Sequence, residues 1–222
     1  MSTNSAVKIC NLALGNIGSK AGIDSLEEDS NEAYYCNLFY EVCLESAMRE
    51  HDWNYARRRR SLVSYGTPPT TEWDYQYVVP SDMLAARYIV NGLSGASLAS
   101  SNLGIGSVIF DPSVTRPDPP PIPFELALDS TGTKKVILTD QVDAILCYTA
   151  NITDPAMFDA QFVEALSWKL GSMLAMPIRG DIKTKQAAET MYQNLKTSTF
   201  VSSGSEGNPR PQPEAEWIRG RL

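Results

Sequence analysis

The hydrophobic period of this chain changes twice, and that constrains its fold more than any other feature. Up to about residue 55 apolar side chains recur at helical spacing. Over 61–152 they alternate at strand spacing, and from 154 the helical spacing returns. A chain read this way is an α+β protein in which N- and C-terminal helices form a helical bundle with an inserted antiparallel β domain. The pattern divides it into a helical part at 1–60, the β domain at 61–152, a second helical part at 153–198 and an extended C-terminal arm at 199–222.

The first helix is predicted over 5–17, where Ala6, Ile9, Cys10, Ala13, Leu14 and Ile17 form one stripe and Gly18 suits the left-handed position after its end. Two capping boxes compete before the second helix, Ser25 with Glu28 and Asp29 with Glu32. Asp29 is preferred because the apolar pattern begins only at Ala33. That helix is expected to run to Trp53 or Tyr55. Ala33, Cys36, Tyr40, Cys43 and Ala47 mark one seam, and Leu38, Val42 and Ala47 mark a second, so it should pack on two sides. Arg57, Arg58, Arg59 and Arg60 then fall near its C-terminus, where the helix dipole favours cations.

In the middle, strand spacing is clear around Trp73, Tyr75, Tyr77 and Val79 and around Phe124, Leu126 and Leu128, and the runs from Val136 to Leu138 and over 144–152 are also β-like. Residues 91–107 are rich in Gly, Ser and Ala and read as a mobile tip. The five prolines of 116–123 predict an extended stretch. Asp154-Pro155 reads as the start of a third helix that ends at Pro177, and Asp181 as the cap of a fourth. The tail ends in Trp217, Ile218, Arg219, Arg221 and Leu222. An aromatic residue beside arginines after a Ser-, Gly- and Pro-rich leash suits docking onto a neighbour.

Charge and chemistry exclude more than they suggest. With 19 basic and 26 acidic residues the net charge is −7, which argues against broad binding of DNA phosphates. No apolar run approaches the roughly 18 residues of a membrane span, and the first residues lack a signal-peptide layout, so synthesis and assembly in a cytoplasm are expected. Cys10, Cys36, Cys43 and Cys147 lack CxxC spacing and read as buried reduced thiols. His51 is the one histidine and reads as a helix-end imidazole with a local hydrogen bond. Gly104-Ile105-Gly106 is too short for a nucleotide loop. Glu27, Glu28 and Asp29 read as a solvated helix start. No catalytic, metal or cofactor residues are therefore assigned. The arginine run fits a subunit interface better than DNA, given the acidic whole.

Three stretches resemble the tail tubular protein A family, the head-to-tail adaptors of short-tailed bacteriophages. The first is Ile9-Cys10-Asn11-Leu12-Ala13-Leu14-Gly15-Asn16-Ile17-Gly18, leading into Ser25-Leu26-Glu27-Glu28-Asp29-Ser30-Asn31-Glu32-Ala33. The second is His51-Asp52-Trp53-Asn54-Tyr55-Ala56-Arg57, and the third is Thr153-Asp154-Pro155-Ala156-Met157-Phe158-Asp159 with Phe162-Val163-Glu164-Ala165-Leu166. The β middle matches mainly at Trp73-Asp74-Tyr75-Gln76-Tyr77-Val78-Val79-Pro80, and its glycine- and proline-rich stretches do not align. The resemblance implies a non-enzymatic virion protein forming a twelve-copy ring between the portal protein and the tail nozzle. Genomic DNA would pass through without specific binding, with no cofactor and no membrane partner. A peptidoglycan-cleaving virion enzyme is the alternative expectation.

Overall fold

The computed structural model describes residues 4–91 and 122–205. Helix α1, Ala6–Asn16, starts where the Ser5 hydroxyl accepts the Lys8 N–H at 3.1 Å. It stops at Gly18, whose φ of +73° lets the chain turn back and satisfy the Gly15 and Leu14 carbonyls. The following loop is clipped to α1 by Asn11. Its Oδ1 accepts the Ile23 N–H at 2.8 Å and its Nδ2 donates to the Ile23 carbonyl at 2.9 Å, which seats Ile23 in the core.

Helix α2, Asn31–Glu50, is capped by Ser30 rather than by the expected Asp29. The reason is local. Glu28 accepts the Ser30 hydroxyl at 2.6 Å and folds its other oxygen over the Asp24 N–H, so the Ser30 oxygen is already aimed at the Ala33 N–H. The helix also ends earlier than its periodicity predicts. His51 is extended, and Trp53 turns inward to donate its indole N–H to the Ala47 carbonyl at 3.0 Å. One 3-10 turn, Asn54–Ala56, then leads directly into a strand, β1, Arg57–Ser61. The arginine run thus lies in a strand and not beside a helix terminus, which corrects the dipole argument.

The remaining strands are β2, Tyr75–Val78; β3, Met83–Asn91; β4, Glu125–Leu128; β5, Lys135–Thr139; and β6, Ala144–Ala150. They form two three-stranded antiparallel sheets, ordered β1-β6-β3 and β2-β5-β4. In the second, Tyr77 and Leu126 both face Ile137 across the ladder. The β4–β5 connection closes on Asp129, whose carboxylate accepts the Thr131 hydroxyl and the Thr133 and Lys134 N–H groups, while Gly132 supplies a φ of +70°. Residues 92–121, which include all but the first residue of the expected mobile tip and most of the proline-rich stretch, lie outside the described residues; Asn91 is the last residue of β3.

The third helical segment starts twice. Asp154 caps a 3-10 turn, Pro155–Met157, and Asp159 caps helix α3, Ala160–Leu174, so the long helix begins later than Asp154-Pro155 suggests. Phe158 between them is extended and buried, packed edge-on against Phe162 at 5.2 Å. A π turn, Ala175–Arg179, carries Pro177, and Gly180 at φ +64° ends it. Asp181 then accepts the Lys183 N–H and the Thr184 hydroxyl at the start of α4, Ile182–Ser205. The arm expected from residue 199 is helical as far as Ser205.

The described residues divide into two compact units, one of 4–58, 82–85 and 148–205, the other of 59–81, 86–91 and 122–147. The first has a core drawn from both ends of the chain. Ile9, Cys10, Leu14, Cys36, Cys43, Met48, Phe162, Leu166, Leu170 and Leu174 are all buried in it. Each such large aliphatic or aromatic side chain contributes about 1.5–3 kcal/mol on burial. Gly171 lets α1 and α3 approach, because a Cβ there would sit 3.2 Å from the Ala13 carbonyl oxygen. The second unit buries Tyr77, Ile89, Val136, Ile137, Leu138, Leu146 and Cys147.

Candidate functional site

Two of the sequence stretches singled out above meet in one aromatic cluster. Trp53, buried with only 4% exposure, packs edge-on against Phe162 at 4.9 Å and lies beside Tyr55. Tyr55 in turn touches Phe158 and Phe162, at 5.9 and 5.2 Å between centroids. His51 sits edge-on to Trp53 at 5.2 Å, as a residue of the helix end. Burial, with Asp159 and Tyr40 nearby, pushes the Tyr55 phenol upward. The cluster explains why residues more than a hundred positions apart must be aromatic together: each ring completes the packing of the next.

A polar hub ties three helices. Glu50 at the end of α2 accepts the Lys169 ammonium of α3, the Lys196 ammonium of α4 at 2.6 Å and the Tyr192 hydroxyl of α4 at 2.8 Å. Lys169 also donates to Ser46 at 2.7 Å and lies 5.2 Å above the Tyr192 ring. Burial raises the Glu50 carboxyl, but the hydrogen bonds from Lys169, Lys196 and Tyr192 outweigh it and hold it below the usual range. Sequence reading missed this hub, since Glu50, Lys169 and Lys196 look like ordinary surface charges until the helices are assembled.

The arginine strand is exposed at every position and lies at a sheet edge. Arg57 holds Asp52 through its Nε and a terminal nitrogen at 3.0 and 2.9 Å. Arg58 holds Asp82 at 2.9 Å, which also accepts the Tyr148 hydroxyl at 3.0 Å. Arg59 reaches the Tyr88 hydroxyl at 3.3 Å. Successive strand residues point to opposite faces, so Arg57 and Arg59 share one and Arg58 and Arg60 the other. The four do not form one patch. Charged side chains along an edge also discourage indiscriminate strand pairing.

On α2 the first expected seam is buried throughout, but Leu38 and Val42 of the second are not. With Tyr34 they form an exposed stripe, 64%, 52% and 62% open at Tyr34, Leu38 and Val42. An open groove lined by Val42, Glu45, Ser46, Arg49 and Glu50 continues it.

All four cysteines are buried and free. The hydrogen bond with Cys36, together with burial, keeps the Cys10 thiol protonated, and burial pushes Cys43 up to about 11. Thiols held protonated in this way are poor nucleophiles. Among the described residues no group of three or more His, Cys, Asp or Glu side chains could hold a metal, and no helix is long and apolar enough to cross a membrane. Trp217, Ile218, Arg219, Arg221 and Leu222 lie outside the described residues. No protein-family model matches the chain, and no curated protein matches it.

Proposed function

We propose that this protein is a structural component of a bacteriophage virion, a head-to-tail adaptor whose copies form a ring between portal and tail nozzle. In this reading twelve copies surround the channel through which the genome passes. The helices from both chain ends act as a bundle that carries the β domain. The observation that carries the proposal is the aromatic cluster. It joins Trp53 and Tyr55 of one family-like stretch to Phe158 and Phe162 of another, so the residues of the resemblance serve a shared core. An excess of acidic charge suits a wall that repels DNA phosphates and lets the genome slide. The C-terminal segment with Trp217, Ile218, Arg219, Arg221 and Leu222 is the proposed anchor on the portal or on a neighbour.

Mixing the purified protein with the portal ring of the same phage and imaging by electron microscopy tests the reading. A ring of this protein stacked on the portal is expected, and it should be lost on Trp217→Ala. Failure to bind any portal, or turnover of peptidoglycan that a single Asp or Glu change abolishes, would overturn it.

A further inference from the structure

The exposed stripe of α2 is a structured surface without a described cover. Tyr34, Leu38 and Val42 follow one another at four-residue intervals, each more than half open to solvent. Exposed side chains at that spacing line one face of a helix. Glu41 and Glu45 are exposed beside the stripe, and Asn37 is the polar neighbour between Tyr34 and Glu41. The face is therefore apolar along its middle and acidic along one side, with the exposed Arg49 one turn beyond Glu45 at its C-terminal end.

A complementary surface exists on the same chain. Arg58 and Arg60 lie on one face of edge strand β1, fully outside the core, and the Arg58 side chain is 55% exposed although it holds Asp82. A guanidinium has five N–H donors, so one bond to Asp82 leaves Arg58 able to take a second carboxylate. The spacings agree as well. Glu41 and Glu45 are separated by about 6 Å along a helix axis, and two residues along a strand span about 6.8 Å.

We propose that the outward face of α2 docks on strand β1 of a second copy of this chain. Glu41 and Glu45 pair with Arg58 and Arg60 of that copy. The arginine stems lie over Leu38 and Val42, as long charged side chains cover apolar surface, and a guanidinium stacks on the Tyr34 ring. The charge pairs set register and orientation more than affinity, while the covered stripe supplies the adhesion. Because the two surfaces differ, the contact is head-to-tail, and its repetition gives a closed ring or an open filament. This deepens the adaptor reading by naming a subunit contact, and it rests on that reading only for the requirement that copies associate.

Sedimentation equilibrium of the full chain, taken upward in concentration, reads the contact. The natural chain should associate reversibly. Leu38→Asp with Val42→Asp should weaken association at least about tenfold, the loss expected when the centre of an interface is removed. Glu41→Arg with Glu45→Arg should do the same, as should Arg58→Glu with Arg60→Glu. Mixing those last two chains should restore association, because each then offers the face the other lacks. Arg60→Glu alone, which leaves the Arg58–Asp82 pair intact, guards against a folding defect, with melting curves as the check. Association that is absent throughout, or that persists in the α2 variants, overturns the proposal. So does failure of the mixed chains to associate, which is also the outcome if the chain's own residues or a second α2 cover the stripe. Ring formation on a portal through other surfaces would overturn this contact and leave the adaptor reading standing. Association through this contact without portal binding would do the reverse.

Discussion

Replacing Glu50 removes an acceptor that ties α2 to both α3 and α4. Its ion pairs with Lys169 and Lys196 are only partly screened from water, with side-chain exposures of 15% for Lys169 and 27% for both Glu50 and Lys196. Exposed pairs contribute about 0–1 kcal/mol each, and a hydrogen bond to a charged group such as that from Tyr192 about 1.5 kcal/mol. Glu50→Ala is therefore expected to cost about 2–3 kcal/mol. Glu50→Gln, which keeps a neutral acceptor, should cost roughly half of that. Urea unfolding followed by circular dichroism measures both, with the midpoint shifted and the slope unchanged. The effect has a pH signature. The folded carboxyl is held below its ordinary value, so its stabilisation is complete above the unfolded pKa and disappears as pH falls through the folded pKa. The gap between the natural chain and Glu50→Gln should accordingly close on acidification. Equal stability of the two at neutral pH, or a gap that widens in acid, would refute the reasoning. Glu189→Gln, on the exposed side of α4, is the control and should change stability by less than about 0.5 kcal/mol.

Three further perturbations probe the helical core. Asn11→Ala should destabilise the protein by about 2 kcal/mol, since it breaks both hydrogen bonds that hold Ile23; chemical denaturation shows it, and a loss no larger than that of an exposed substitution would discount the clip. Gly171→Leu should cost about 2–3 kcal/mol, because its Cβ already falls 3.2 Å from the Ala13 carbonyl oxygen. A thermal melt at or above that of the natural chain would mean that α1 and α3 part more readily than the packing implies. Tyr55→Phe should be neutral or mildly stabilising, within about 0.5 kcal/mol of the natural chain, because the buried Tyr55 hydroxyl has no hydrogen-bond partner among the described residues. A substantial loss on that change would show that the hydroxyl, and not the ring, matters to the cluster.

By itself the sequence determined the α+β class and where most elements fall. Helical periodicity placed α1, α2, α3 and α4, alternation placed β2 and β4, and short β-like apolar runs marked β5 and β6, which are buried almost throughout. It did not determine β1 or β3. Four successive arginines carry no apolar period, and the side chains of 83–88 are all partly buried, so neither strand shows two distinct faces. Helix boundaries were decided by capping contacts that compete over one or two residues: Ser30 prevailed over Asp29 through Glu28, and Trp53 ended α2 by capturing the Ala47 carbonyl. Only the tertiary structure decided which charges act together. Glu50, Lys169 and Lys196 are far apart in the chain, and nothing in their local sequence distinguishes them from solvated residues. The same holds for the second seam of α2. Periodicity marks Leu38 and Val42 as apolar, but whether such a face is covered depends on where the other helices lie, and in this fold they pack against Cys36, Tyr40 and Cys43 and leave Leu38 and Val42 open to solvent.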